Sequence, residues 1–68
     1  MVRITTTKKE YWLFIKRIVY LQKGVRSLCI DYFDNNGDHK EFNIKNEKDI
    51  DITELEEFVK KQERIKKG

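Results

Sequence analysis

The stretch Leu28-Cys29-Ile30-Asp31-Tyr32-Phe33-Asp34-Asn35-Asn36-Gly37-Asp38-His39-Lys40-Glu41-Phe42-Asn43-Ile44 sets its own pairing. Two runs of high β propensity flank a cluster of turn formers. A two-residue loop at Asn36-Gly37 would put Ile30 opposite Asn43 and Tyr32 opposite Glu41, mixing apolar with polar on both faces. A three-residue loop, Asn35-Asn36-Gly37 with Gly37 left-handed, pairs Leu28 with Ile44, Ile30 with Phe42 and Tyr32 with Lys40. The second register gathers the apolar side chains on one face and is the one expected. It leaves Cys29, Asp31, Phe33, His39, Glu41 and Asn43 on the outer face, with Asp31 opposite Glu41. Like charges facing each other across a ladder oppose folding. That face is therefore either well solvated or open to a cationic partner.

Outward from the hairpin, the reading of Lys8–Lys23 separates two architectures. Tyr11, Trp12, Phe14, Ile15, Ile18, Val19 and Tyr20 favour strand by propensity. One continuous strand, however, would be apolar on both faces except at Lys16 and Arg17, and would need cover on both sides. As a helix, Tyr11, Phe14, Ile15, Ile18 and Leu21 fall at three- and four-residue spacing. Thr7 and Glu10 would cap it, and Lys23-Gly24 would end it. Helix is the expectation, with Leu13 and Tyr20 on its back. Val2–Thr6 alternates as a short strand. The C-terminal segment is helical by period: Ile52, Leu55, Phe58, Val59 and Ile65 form a stripe, with Gln62 in the same stripe. Asp51 caps that helix, Glu54 completes a box-like pair, and Ile50 can staple onto Leu55. Glutamates at its start and lysines at its end suit the helix dipole. The expected fold class is α+β in the order β-α-β-β-α. A small antiparallel sheet, made of the central hairpin 27–45 and a short N-terminal strand, carries two helices. The core would comprise Leu28, Ile30, Tyr32, Phe42, Ile44, Ile15, Ile18, Val19, Leu55, Phe58 and Val59.

Size and composition narrow the function classes. With 68 residues the chain reads as one small domain, 1–68, near the lower limit for a self-sufficient core. One cysteine excludes an internal disulfide, and one cysteine with one histidine cannot build a four-ligand zinc site. No apolar run approaches the roughly 20 residues needed to span a bilayer, and Met1-Val2-Arg3-Ile4 with the three threonines after it lacks the apolar stretch expected of a secretory signal. A cytoplasmic protein with no membrane partner is expected. No cofactor and no metal are expected. Ser27 is the only serine, and neither a phosphate-cradling glycine loop nor an activated nucleophile pattern occurs, so an enzyme is not expected. Cys29 and His39 share the outer hairpin face, but an open sheet surface excludes no water and orients no substrate.

Charge is segregated along the chain. From Met1 to Arg26, Arg3, Lys8, Lys9, Lys16, Arg17, Lys23 and Arg26 stand against Glu10 alone, a balance of +6. From Ser27 to Glu57, ten acids stand against Lys40, Lys45 and Lys48, a balance of −7. From Phe58 to Gly68, five cations against Glu63 give +4. Such fields steer association, or else the blocks neutralise one another in the fold.

The order of N-terminal strands, a hairpin turning at Asn35-Asn36-Gly37, then Glu47-Lys48-Asp49 and a charged C-terminal helix resembles the small archaeal Sul7-type chromatin proteins. That resemblance implies strand from Tyr11 to Leu21. It places the outward sheet residues that hold DNA in that family near Ser27, Cys29, Asp31, Glu41 and Asn43. Acids on that surface oppose a phosphate backbone, so DNA binding is not carried over.

The function expected from these readings is a non-enzymatic binding module, of the accessory regulator or inhibitor type, that acts by protein–protein contact. The partner is a protein or a second copy in a homodimer. Leu13, Tyr20, Phe33, Asp31 and Glu41 are the candidate contact residues. The alternative is nucleic-acid binding through a basic first helix, carried by Lys8, Lys9, Lys16, Arg17, Lys23 and Arg26, together with the basic C-terminus.

Overall fold

The computed structural model describes residues 1–67, with side chains as far as Gln62. Five strands precede a single helix: β1 (Val2–Thr5), β2 (Glu10–Leu13), β3 (Arg17–Lys23), β4 (Ser27–Phe33), β5 (His39–Lys45) and α1 (Thr53–Lys67). The order is β-β-β-β-β-α, which overturns the expected β-α-β-β-α arrangement with two helices. β1 and β2 form a two-stranded antiparallel sheet, and β3, β4 and β5 a three-stranded one in that order. Among the described residues no helix is long and apolar enough to cross a membrane.

The Lys8–Lys23 segment is two strands in two different sheets. The physical reason lies in how it handles its apolar residues. The chain breaks at Phe14–Lys16, and the β3–β4 register shifts between Ile18 and Tyr20. Leu13 before the break and Ile15 within it turn inward; beyond it Ile18 is buried, and after the bulge Leu21 packs against the core. A bulge adds one residue to a strand and re-aims those that follow. The two-sided apolar pattern is thus met by leaving one side open rather than by covering it. Trp12, Phe14, Val19 and Tyr20 stay about half exposed. Val19, expected in the core, is 53% exposed beside the bulge.

The central hairpin has the register read from its turn. Leu28 pairs with Ile44, Ile30 with Phe42, Tyr32 with Lys40 and Asp31 with Glu41. Gly37 has φ 86°, the left-handed conformation that a three-residue loop demands of its last residue. The Asp34 carboxylate accepts from the Asn36 and Asp38 N–H groups, both at 2.9 Å, and locks the turn.

The core is built from Val2, Ile4, Leu13, Ile15, Ile18, Leu28, Ile30, Tyr32, Ile44, Ile50, Ile52 and Leu55, with Phe42, Phe58 and Val59 packed against it. α1 brings Leu55 into this cluster, fully buried, and packs on β1. The helix start differs in one detail from the box expected at Asp51 and Glu54. Asp51 Oδ1 accepts from the Thr53 N–H at 2.9 Å and from the Thr53 hydroxyl at 2.7 Å, satisfying a free donor of the first turn. Glu54 instead turns to Arg3, accepting the Arg3 N–H at 3.1 Å and approaching its Nε at 3.6 Å. Ile65 of the expected stripe, with Arg64, Lys66 and Lys67, lies outside the described side chains.

After β5 the chain crosses back to the first hairpin. Thr5 and Asp51 exchange main-chain bonds of 3.2 and 2.8 Å, and the Thr7 N–H donates to the Lys48 carbonyl at 3.1 Å. Asn46 and Asp49 take positive φ in this crossing, and they are the residue types that tolerate it best.

Candidate interaction surface

The outer face of the three-stranded sheet is organised in rungs. Arg17, Phe33 and His39 form one, Tyr20, Asp31 and Glu41 the next, and Gln22, Cys29 and Asn43 the third. In the first rung the Arg17 guanidinium lies 5.2 Å over the Phe33 ring, and Phe33 meets His39 with ring centroids 5.5 Å apart. A guanidinium at that distance from a ring is held by the ring's quadrupole. In the second rung Asp31 lies between Tyr20 and Glu41. Tyr20 is about half exposed, and its hydroxyl donates to Gln22 Oε1 at 2.8 Å. Neither the Asp31 nor the Glu41 carboxylate has a hydrogen-bond or ion-pair partner among the described residues; the one ion pair there is Arg3–Glu54.

Of the expected contact residues, Tyr20, Phe33, Asp31 and Glu41 therefore meet on one face, on adjacent rungs. Leu13 does not join them. It sits in β2 at 9% exposure, packed in the core, so it has no surface to offer. Its place on the back of a helix vanished with the helix.

The basic residues of the alternative reading are dispersed for the same reason. Lys9, Lys16 and Lys23 would repeat along one helical edge. With strands in place, Lys8 and Lys9 lie at the β1–β2 turn, Lys16 and Arg17 at the β2–β3 connection, and Lys23 and Arg26 at the β3–β4 turn. Lys9 is further engaged over the Tyr11 ring, 5.1 Å from its centroid.

A second feature, absent from the sequence reading, adjoins the first rung. A cavity of about 560 Å³ opens where the start of β3, the end of β4, the β4–β5 turn and α1 converge. Lys16, Arg17, Phe33, Gly37, Phe58, Lys61 and Gln62 line it. Its walls are anchored by the main chain. The Lys16 N–H donates to the Phe33 carbonyl at 2.8 Å, and Gln62 pairs with Ile18 in both directions, accepting its N–H and donating to its carbonyl, each at 2.8 Å. Gln62 thus replaces a neighbouring strand for Ile18 beside the bulge. The only signal for this in the sequence was its position in the apolar stripe of the helix.

The electrostatics of the first hairpin are structural. Glu47 accepts from the Thr6 hydroxyl and the Tyr11 hydroxyl, both at 2.7 Å. The Thr6 and then the Tyr11 bond hold its carboxyl below the usual range, with help from Lys9 and Lys8 and against partial desolvation. The same bond to Glu47 raises the Tyr11 hydroxyl. Among the described residues no group of three or more His, Cys, Asp or Glu side chains is gathered to hold a metal ion, and Cys29 is a free thiol.

Compared with protein-family models, with curated proteins and with solved structures, the chain matches none.

Proposed function

We propose that this protein is a non-enzymatic binding module whose contact surface is the outer face of the β3–β4–β5 sheet and whose partner is a protein presenting cations. One observation supports this above the others. Asp31 and Glu41 stand opposite each other, beside the half-exposed Tyr20, with no cation of this chain to neutralise them among the described residues. An aromatic anchor next to unneutralised carboxylates suits lysine or arginine side chains from a partner, since tyrosine and arginine are enriched where interfaces concentrate their energy. Charge complementarity of this kind also fixes partner choice and speeds encounter.

The test is fluorescence anisotropy with two labelled probes at about 0.15 M salt, where the screening length is roughly 8 Å. One is a short peptide alternating lysine and tyrosine; the other is a mixed-sequence DNA duplex. The expected result is saturable peptide binding that disappears in the Asp31→Lys, Glu41→Lys double variant, with the duplex unbound. A bound duplex and an unbound peptide would overturn the reading.

A second reading, nucleic-acid binding, gains from one observation. Glu10–Leu13 and Arg17–Lys23 are strands, which is the condition set by the resemblance to Sul7-type proteins. Against it, the acids Asp31 and Glu41 occupy the face that would meet the phosphates.

A further inference from the structure

We propose that the cavity between β3, the β4–β5 turn and α1 is a binding site for a small amphipathic anion: an aromatic body carrying a carboxylate or phosphate group. Its volume of about 560 Å³ falls within the range of small-molecule pockets, roughly 300–1,000 Å³. The residues around it divide by chemistry. Phe33 and Phe58 supply apolar walls, Lys16, Arg17 and Lys61 supply three positive charges, and among the described residues no carboxylate lines it. A ligand with a flat apolar body and one anionic end satisfies both sets at once. A neutral aromatic would leave the cations unused, and a bare inorganic anion would leave the phenyl walls against water.

Asp34 precedes the turn, and its carboxylate is occupied by the Asn36 and Asp38 N–H groups. The site is also preformed. Gln62 ties α1 to the start of β3, the Lys16 N–H ties the β2–β3 connection to the end of β4, and the Gly37 N–H closes the turn on the Asp34 carbonyl at 3.0 Å. Two main-chain bonds and the Gln62 side-chain amide hold the walls in place, so a ligand need not order them, which removes one cost of binding. Arg17 already lies over Phe33, 5.2 Å from the ring centroid, so a cation stands directly beside one of the apolar walls.

This site adjoins the Asp31/Glu41 surface and shares Arg17 and Phe33 with its first rung, but it prefers the opposite charge, so each proposal is tested with its own probe and its own variant. The experiment is an amide-shift titration of the full chain with 1-naphthyl phosphate, with naphthalen-1-ylmethanol and with inorganic phosphate. The naphthyl phosphate should give saturable shifts centred on Lys16, Arg17, Phe33, Gly37 and Lys61. The neutral alcohol and inorganic phosphate should each bind about fivefold more weakly or worse. Neutralising two exposed cations in a Lys16→Gln, Lys61→Gln variant should weaken naphthyl phosphate by about fivefold or more. Both residues are exposed, and an unchanged amide spectrum of the unliganded variant would show that the fold is intact. Equal affinity for the neutral alcohol, unchanged affinity in the variant, or shifts centred elsewhere would each overturn the proposal.

Discussion

Around the β1–β2 hairpin Arg3, Lys9 and Glu47 are tied into the fold by their side chains, whereas on the outer face of the β3–β5 sheet Asp31 and Glu41 are not. Arg3 holds Glu54 and lies 5.8 Å from the Trp12 ring, Lys9 covers Tyr11, and Glu47 takes the hydroxyls of Thr6 and Tyr11. Asp31 and Glu41, on adjacent strands of the other sheet, have no such partners among the described residues. The first region therefore uses polar chemistry to close a small fold on itself. The second leaves repulsion in place, and a marginally stable domain keeps such a feature at a cost to its own stability. That contrast is why the proposed contact surface lies on the larger sheet.

The contrast breaks most visibly if the outer face proves structural. Leu55→Ala, at a fully buried position on α1, should cost about 2–5 kcal/mol in urea unfolding. Tyr20→Ala on the open face should change stability by no more than about 0.5 kcal/mol. Comparable losses at the two sites would mean that the face is part of the scaffold. Next in size is the turn that brings the acids together. Gly37→Val puts a side chain at φ 86° and should cost roughly 1–2 kcal/mol, measured as a lower unfolding midpoint. Smaller still, Asp31→Lys should stabilise the protein by about 0.2–1 kcal/mol, because a cation then faces Glu41. A loss of stability there would show that the two carboxylates are not in unfavourable contact.

The tied region yields the finest prediction, confined to acid. The Glu47 carboxyl is held below its ordinary value of 4.5 by Thr6 and then Tyr11. A group whose folded value is depressed stabilises the fold above its unfolded value and loses that contribution as pH falls through the folded one. The contribution of Glu47 to thermal stability should therefore be full and independent of pH near neutrality and should weaken below about pH 4.5. Glu47→Gln should melt lower at neutral pH and show a shallower fall in acid. An acid profile identical to that of the parent chain would remove Glu47 from the account.

How much of this was legible in the sequence depends on where turn chemistry dominates. Between Leu28 and Ile44 only one loop length segregates apolar from polar residues, and the pairing follows from it, as does the facing of Asp31 and Glu41. The C-terminal helix was equally plain, because its apolar period and its acidic start agree. The segment Lys8–Lys23 was not legible. Its apolar residues fit a helical stripe as well as two strands, and the deciding features were a break at Phe14–Lys16 and a bulge at Val19, neither marked by glycine or proline. The assumption that a small chain covers its apolar residues also failed, since Trp12, Phe14, Val19 and Tyr20 are left half exposed. Leu13 was lost as a contact residue through that same error. The cavity was invisible because Lys16, Phe33 and Gln62 come together only when the helix crosses the end of the sheet.

The central claim is that the outer face of the β3–β4–β5 sheet meets a cationic protein surface. The most direct measurement is an amide-shift map of the labelled chain titrated with the lysine–tyrosine peptide and, separately, with the mixed-sequence duplex. Peptide-induced shifts are expected to concentrate at Tyr20, Asp31, Phe33 and Glu41, with the duplex leaving these positions unmoved. Saturable duplex-induced shifts at those same residues, with no response to the peptide, would contradict it.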